Sequence, residues 1–118
     1  MNGTVQPAIA ELRRLAPQLD DSLDQATLTA ASAAIDQIVQ PLSTDDLEAL
    51  VALLPANGDD AYGLNWVVLH GIEAAEDWPR WDLLEDLDHW WVRLFRLRLA
   101  NAGMHDPRGS TPQGMGQR

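Results

Sequence analysis

The chain has 118 residues, eight arginines, no lysine and 18 carboxylates, for a formal net charge of −10. One domain fits this length. Absence of cysteine excludes disulfides, thiolate metal sites and a cysteine nucleophile, and absence of lysine excludes a Schiff base.

Met1 to Val5 carries neither a basic patch nor an apolar run, so no signal peptide is expected. Apolar stretches such as residues 66–69 fall far short of the roughly 20 residues that span a bilayer. A cytoplasmic protein is expected. Arginine in place of lysine, with abundant alanine, points to a GC-rich coding sequence.

Helical periodicity runs through the chain and strict alternation of the strand type does not. The first helix is predicted over residues 6–16, with Thr4 as cap, Pro7 in the first turn and Pro17 as stop. The second is predicted over 22–40. Asp20, Asp21 or Ser22 caps it, Asp24 favours its positive end, and Pro41 ends it. Alanines at 30, 31, 33 and 34 would let a neighbouring helix approach closely.

The third is predicted over 44–54, capped by Ser43 or Thr44, with Leu47, Leu50, Val51 and Leu54 as its apolar stripe and Pro55 as stop. Residues 56–59 read as a loop. The fourth is predicted over 60–75, with Leu64, Val68, Gly71 and Ile72 facing the core and Val67 and Leu69 flanking. In residues 76–87, Pro79 holds Trp78 out of the helical region, and a short turn is predicted over 81–84. The fifth helix is predicted over 88–102, capped by Asp86 or Asp88 and stopped by Gly103. Residues 104–118, rich in Gly, Pro, Ser and Gln, read as a disordered tail. The expected architecture is all-α: one helical domain over 1–103, built as a small bundle of about five helices or as a short HEAT-like array of helical hairpins.

Charge is uneven. Residues 20–61 hold nine carboxylates and no base, and residues 62–89 hold seven more against Arg80 alone. Arg93, Arg96 and Arg98 then follow with no acid between them. Such a body repels phosphates and anionic membranes and favours a basic protein partner. Solubility alone accounts for the same charge.

No catalytic set, cofactor site or metal site emerges, and the chain is not expected to be an enzyme. His70 and Glu73 share a helical face, but a metal needs a third ligand that no spacing supplies. The adjacent acids Asp20-Asp21, Asp45-Asp46, Asp59-Asp60 and Glu76-Asp77 lie at or near predicted helix starts, where negative charge is stabilised. Neither a nucleophile elbow nor a glycine-rich phosphate loop is present.

All seven aromatic residues, five of them tryptophan, lie between residues 62 and 95. On the fourth helix Trp66, His70 and Glu73 fall opposite the core stripe, and Asp77 continues their line, so Trp66 is expected at least partly exposed. On the fifth only His89, Arg93 and Arg96 form a polar strip, and Arg98 falls inside the apolar arc. Arg98 therefore needs a carboxylate, with Asp82, Glu85 or Asp86 in reach. Trp78-Pro79-Arg80-Trp81 either presents two rings or plugs one end of the bundle, the plug being favoured. The tryptophans either fill the core or form an acid-ringed patch for a partner.

The function expected is that of an acidic inhibitor or immunity-type protein that occludes a basic toxin or enzyme. Asp45, Asp46, Asp59 and Asp60 would steer it, and Trp66, His70, Glu73, Asp77, Trp78 and Trp81 would contact it. The alternatives are a homodimerising adaptor using the fifth helix and a small-molecule binder using a pocket lined by Trp66, His70, Trp78 and Trp81.

Overall fold

A computed structural model describes residues 5–104. The Thr4 cap and the tail from residue 105 onward lie outside the described residues. The described residues form five α-helices and one 3-10 turn, with no strand among them. The helices are α1 (Pro7–Leu15), α2 (Gln25–Asp36), α3 (Thr44–Leu53), α4 (Leu64–Glu73) and α5 (Trp90–Asn101), and the 3-10 turn spans Trp81–Leu83.

Each boundary has a local cause. Pro7 occupies the first turn of α1, where no amide hydrogen is needed. Asp24 caps α2 by accepting from the Thr27 amide at 2.8 Å, a role expected of a residue two to four positions earlier. Ser43 and Asp46 form a reciprocal capping box on α3. His89 caps α5 in place of the expected Asp86 or Asp88. At the other end of α5, Gly103 takes φ +81° and the Met104 amide donates to the Leu99 carbonyl at 2.8 Å. That is a Schellman closure, so Met104 belongs to the helix end and not to the tail.

All five helices are shorter than predicted, α2 and α4 by the most. Residues 37–40 leave α2 because Gln6 takes both backbone groups of Val39, accepting from its amide and donating to its carbonyl. Residues 61–63 do not join α4 because all three are left-handed: Ala61 at φ 51°, Tyr62 at 56° and Gly63 at 96°. The Gln40–Pro41 and Trp78–Pro79 peptides are cis.

Cross-links set the helix directions. The amide of Gln6, before α1, donates to Asp46 in the first turn of α3, and Leu19, beyond α1, bonds to Leu53 at the end of α3. The two helices are therefore parallel. Val39 beside Gln6 makes α2 antiparallel to α1. Asn65 reaches the Leu19 carbonyl at one end of α4, and Gln40 reaches the Gly71 carbonyl at the other, so α4 runs with α2. Contacts of α1 with α2 and α3, and of α4 with α2 and α3, close a four-helix ring. The ring makes this a bundle, and the open hairpin array is not formed. α5 runs parallel to α4 outside the ring: Trp91 meets Trp66 at one end and Arg98 meets Glu73 at the other.

A single core joins all five helices, including Leu12, Ala31, Leu50, Leu69, Ile72, Trp91 and Phe95. Burying a large apolar side chain of this kind stabilises by about 1.5–3 kcal/mol.

Candidate functional site

The outer face of α4 was expected to carry Trp66, and it does, at 37% exposure. On α4, Trp66 and His70 lie one helical turn apart with Val67 beside Trp66, while Tyr62 stands on the left-handed turn that precedes the helix. Tyr62 is 71% exposed and Val67 51%, and His70 is exposed as well. Tyr62 had no predicted role and Val67 was expected to flank the core. No periodicity signals Tyr62, because residue 62 lies on the left-handed turn before α4.

The inner edge of Trp66 is anchored. Its ring meets Trp91 edge-on at 5.1 Å, and Trp91 meets Trp90 edge-on at 4.9 Å. The indole N–H of Trp91 donates to the Asp59 carbonyl at 3.1 Å. Trp91 is fully buried, Trp90 half-buried, and Trp90 lies against Gly58. The tryptophans thus divide: Trp91 is core, while Trp66 has one wet face.

The 78–81 segment packs both of its tryptophans against the core. Half-buried Trp78 packs on Phe95 at 4.9 Å, and Arg96 lies over the Trp81 ring at 5.5 Å. Arg80 holds Asp82 at 2.7 Å and Glu48 at 3.4 Å. Hydrogen bonding to Asp82 chiefly, and to Glu48, raises the Arg80 pKa further.

Two arginine expectations are corrected. Arg96 was placed on a polar strip, yet it is 5% exposed and donates Nη1 to the Leu84 carbonyl at 2.7 Å. Arg98 was matched with Asp82, Glu85 or Asp86, yet it forms a bidentate pair with Glu73, at 2.6 and 2.7 Å. The parallel run of α5 on α4 brings Glu73 there. That bond raises the Arg98 pKa, and it commits Glu73, expected at the partner surface, to an internal pair. Glu73, Arg98, Trp78 and Met104 line a recess of about 530 Å3.

The acids separate. Asp45 and Asp77 are exposed. Asp46 is 3% exposed and accepts from the Gln6 amide at 2.9 Å, the Gln6 side chain at 3.0 Å and the Ser43 amide at 3.0 Å. Burial pushes its carboxyl up, but the bonds from Gln6 and Ser43 together outweigh burial and hold it below the usual carboxylate value. Asp46 is therefore withdrawn from the surface where steering was expected of it.

Asp59 and Asp60 are half-buried and tie the 59–63 loop to the start of α2. Asp59 accepts from the Asp21 amide, Asp21 accepts from the Ala61 amide at 2.9 Å, and Asp60 accepts from the Tyr62 amide at 3.1 Å. Buried Asn65 crosses beneath, donating to the Leu19 and Asp59 carbonyls. These bonds hold the left-handed turn that displays Tyr62.

Among the described residues no group of three His, Asp or Glu side chains is placed to hold a metal, and no helix is long and apolar enough to cross a membrane. Comparison with protein-family models, with curated proteins and with solved structures gives no match to this chain.

Proposed function

We propose that this chain acts by binding, as an inhibitor or immunity-type protein that occludes a basic protein partner. The exposure of Tyr62, Trp66 and Val67 carries the reading. Trp66 and Val67 on α4 and Tyr62 on the turn before it are large apolar side chains displayed to water, which is costly, and they are of the type that anchors interfaces. Beyond exposed His70, the flanking charges are carboxylates: Asp59 and Asp60 at one end, Glu76 and Asp77 past the other.

The cations offset this field little. Among the described residues, Arg14, Arg80 and Arg98 each already hold a carboxylate and Arg96 is buried, which leaves exposed Arg13 on α1 and half-buried Arg93 on α5. Opposite charge would speed encounter with a basic partner while the aromatics supply affinity. Self-association through the α5 arginines has weaker support, because Arg96 and Arg98 point into the chain's own contacts.

The test is capture of the tagged chain from its own cells at low and moderate salt, with bound proteins identified by mass. One basic protein held near one-to-one, associating more slowly as salt rises, is the expected result. In that complex Trp66→Ala lowers affinity by more than it lowers stability. Recovery of the chain alone, as a monomer at both salts, overturns the reading.

A further inference from the structure

A groove of about 780 Å3 runs along α2, opposite the 61–64 turn. Leu23, Leu28, Ala33 and Leu64 give it an apolar floor, Asp36 lines it, and Tyr62 stands beside it. We propose that this groove receives an amphipathic basic helix of the partner, an inference that rests on the partner-binding reading above.

Helix size supports a helical occupant. α2 is small on two faces. Ala31 and Ala34 point inward and are buried where α1 packs. Thr29, Ser32 and Ala33 point outward and are exposed. Small side chains permit the 8–10 Å axial separation of packed helices. One such face is filled by α1, and the other opens on the groove. At about 1.5 Å per residue, α2 offers a track of roughly 18 Å, enough for three turns of a partner. A helix laid along an open trough covers it end to end, whereas a small ligand there would leave much of its own surface in water.

Charge selects the sign of that helix. Every lining residue lies between 23 and 64, a stretch without a single base. Asp21, Asp24 and Asp60 stand close to the groove through Tyr62 and the start of α2, and Asp36 lies in it. An arginine-flanked helix would meet carboxylates on both sides, and an acidic one would be repelled. Tyr62 is also preset. Its amide is held by Asp60, its hydroxyl donates to the Asp21 carbonyl at 3.3 Å, and its backbone sits in the left-handed region. A wall fixed before binding loses little freedom on binding.

The experiment titrates the full isotope-labelled chain with a synthetic 14-residue peptide, followed by amide chemical shifts. The peptide carries leucines at i, i+3, i+4 and i+7 and arginines on its other face; a control has the same composition, scrambled. Saturable shift changes over residues 23–36 and 61–64, with the scrambled peptide at least about tenfold weaker, are expected. Ala33→Trp, a substitution at an exposed helix position, fills the floor and weakens binding about tenfold or more. Changes centred on residues 66–70, equal binding of the scrambled peptide, or unaltered binding to Ala33→Trp overturns the groove assignment. So do concentration-dependent shifts at these residues without peptide, which would make the occupant a second copy of the chain. If the captured natural partner ignores Ala33→Trp, the groove fails while the partner reading stands. If the peptide seats in the groove but the capture recovers no protein, the partner reading is what fails.

Discussion

Replacing Gly58 with alanine probes the contact that seats α5 on the bundle. Gly58 has φ +92°, a conformation that alanine adopts at a cost of about 1–2 kcal/mol. An added Cβ would also lie 2.8 Å from Cγ and 2.9 Å from Cδ2 of Trp90, at the root of the indole and not at a flexible tip. Trp90 cannot easily retreat: its amide donates to the Ala56 carbonyl at 2.9 Å and its ring rests on Trp91. Overpacking of this kind costs about 1–3 kcal/mol, so the total is about 2–5 kcal/mol. Gly63 and Gly103 are the controls. Both have positive φ, at 96° and 81°, and a Cβ at either meets nothing within 4 Å. Gly63→Ala and Gly103→Ala should therefore show the strain alone, and the difference from Gly58→Ala isolates the Trp90 clash. Urea and thermal unfolding followed by circular dichroism give the comparison. Gly58→Ala should melt at least about 4 °C below Gly63→Ala for each 1 kcal/mol of clash. Equal losses in all three variants would refute the idea that Trp90 is pinned over Gly58.

Three further outcomes are expected. Asp46→Ala removes half of a capping box and leaves the Gln6 and Ser43 amides without their acceptor, at a cost of about 2–3 kcal/mol in urea unfolding. Because the Asp46 carboxyl is lowered in the folded chain, its contribution is present above its unfolded value, about 3.9, and is lost as pH falls through the lower folded value. The acid limb of the stability curve should flatten in that variant, and an unchanged limb would show that Asp46 is not its source. A double-mutant cycle of Glu73→Gln and Arg98→Met should give a coupling of about 1 kcal/mol that shrinks in 1 M salt, since the Arg98 side chain keeps 38% exposure. His89→Ala should lower the urea-unfolding free energy by about 1–2 kcal/mol through loss of the α5 cap and of the ring's bond to the Leu54 carbonyl at 2.9 Å; no change would mean that neither bond contributes.

What could be read from the sequence was what neighbouring residues decide. Pro17, Pro41 and Pro55 sit between helices, Ser43 caps α3, and Gly103 closes α5. The wet face of Trp66 followed from its position opposite Val68 and Ile72 on the helix wheel. What could not be read depends on residues far apart in the chain. The late start of α4 needs Asp21, forty positions before Ala61, to hold a left-handed turn that alanine and tyrosine avoid alone. The early end of α2 needs Gln6 on Val39. The match of Arg98 with Glu73 needs α5 to lie parallel to α4, and no pattern within either helix specifies that. Asp45 and Asp46 look alike in the sequence; only the approach of α1 makes one of them interior.

The acidic run from 20 to 61 invites either a structural or an electrostatic explanation, and the hydrogen bonds show that the two are not rivals. Asp20, Asp21, Asp24, Asp46, Asp59 and Asp60 each accept a backbone amide, so these six carboxylates cap a helix or pin a turn. Asp20 and Asp24 are held below the usual carboxylate value, chiefly by their bonds to Ser22 and Thr27, so this work keeps them charged. Structural carboxylates on the surface still project a field. Of the other three, Glu48 pairs with Arg80, whereas Asp36 and Asp45 are exposed and neither carries such a bond among the described residues. Neutralising Asp46 or Asp59 would damage the fold and the field together, whereas neutralising Asp36 and Asp45 removes charge and leaves the turns intact. Any measured role of this charge in association therefore has to be assigned through those two positions, one of which lines the α2 groove.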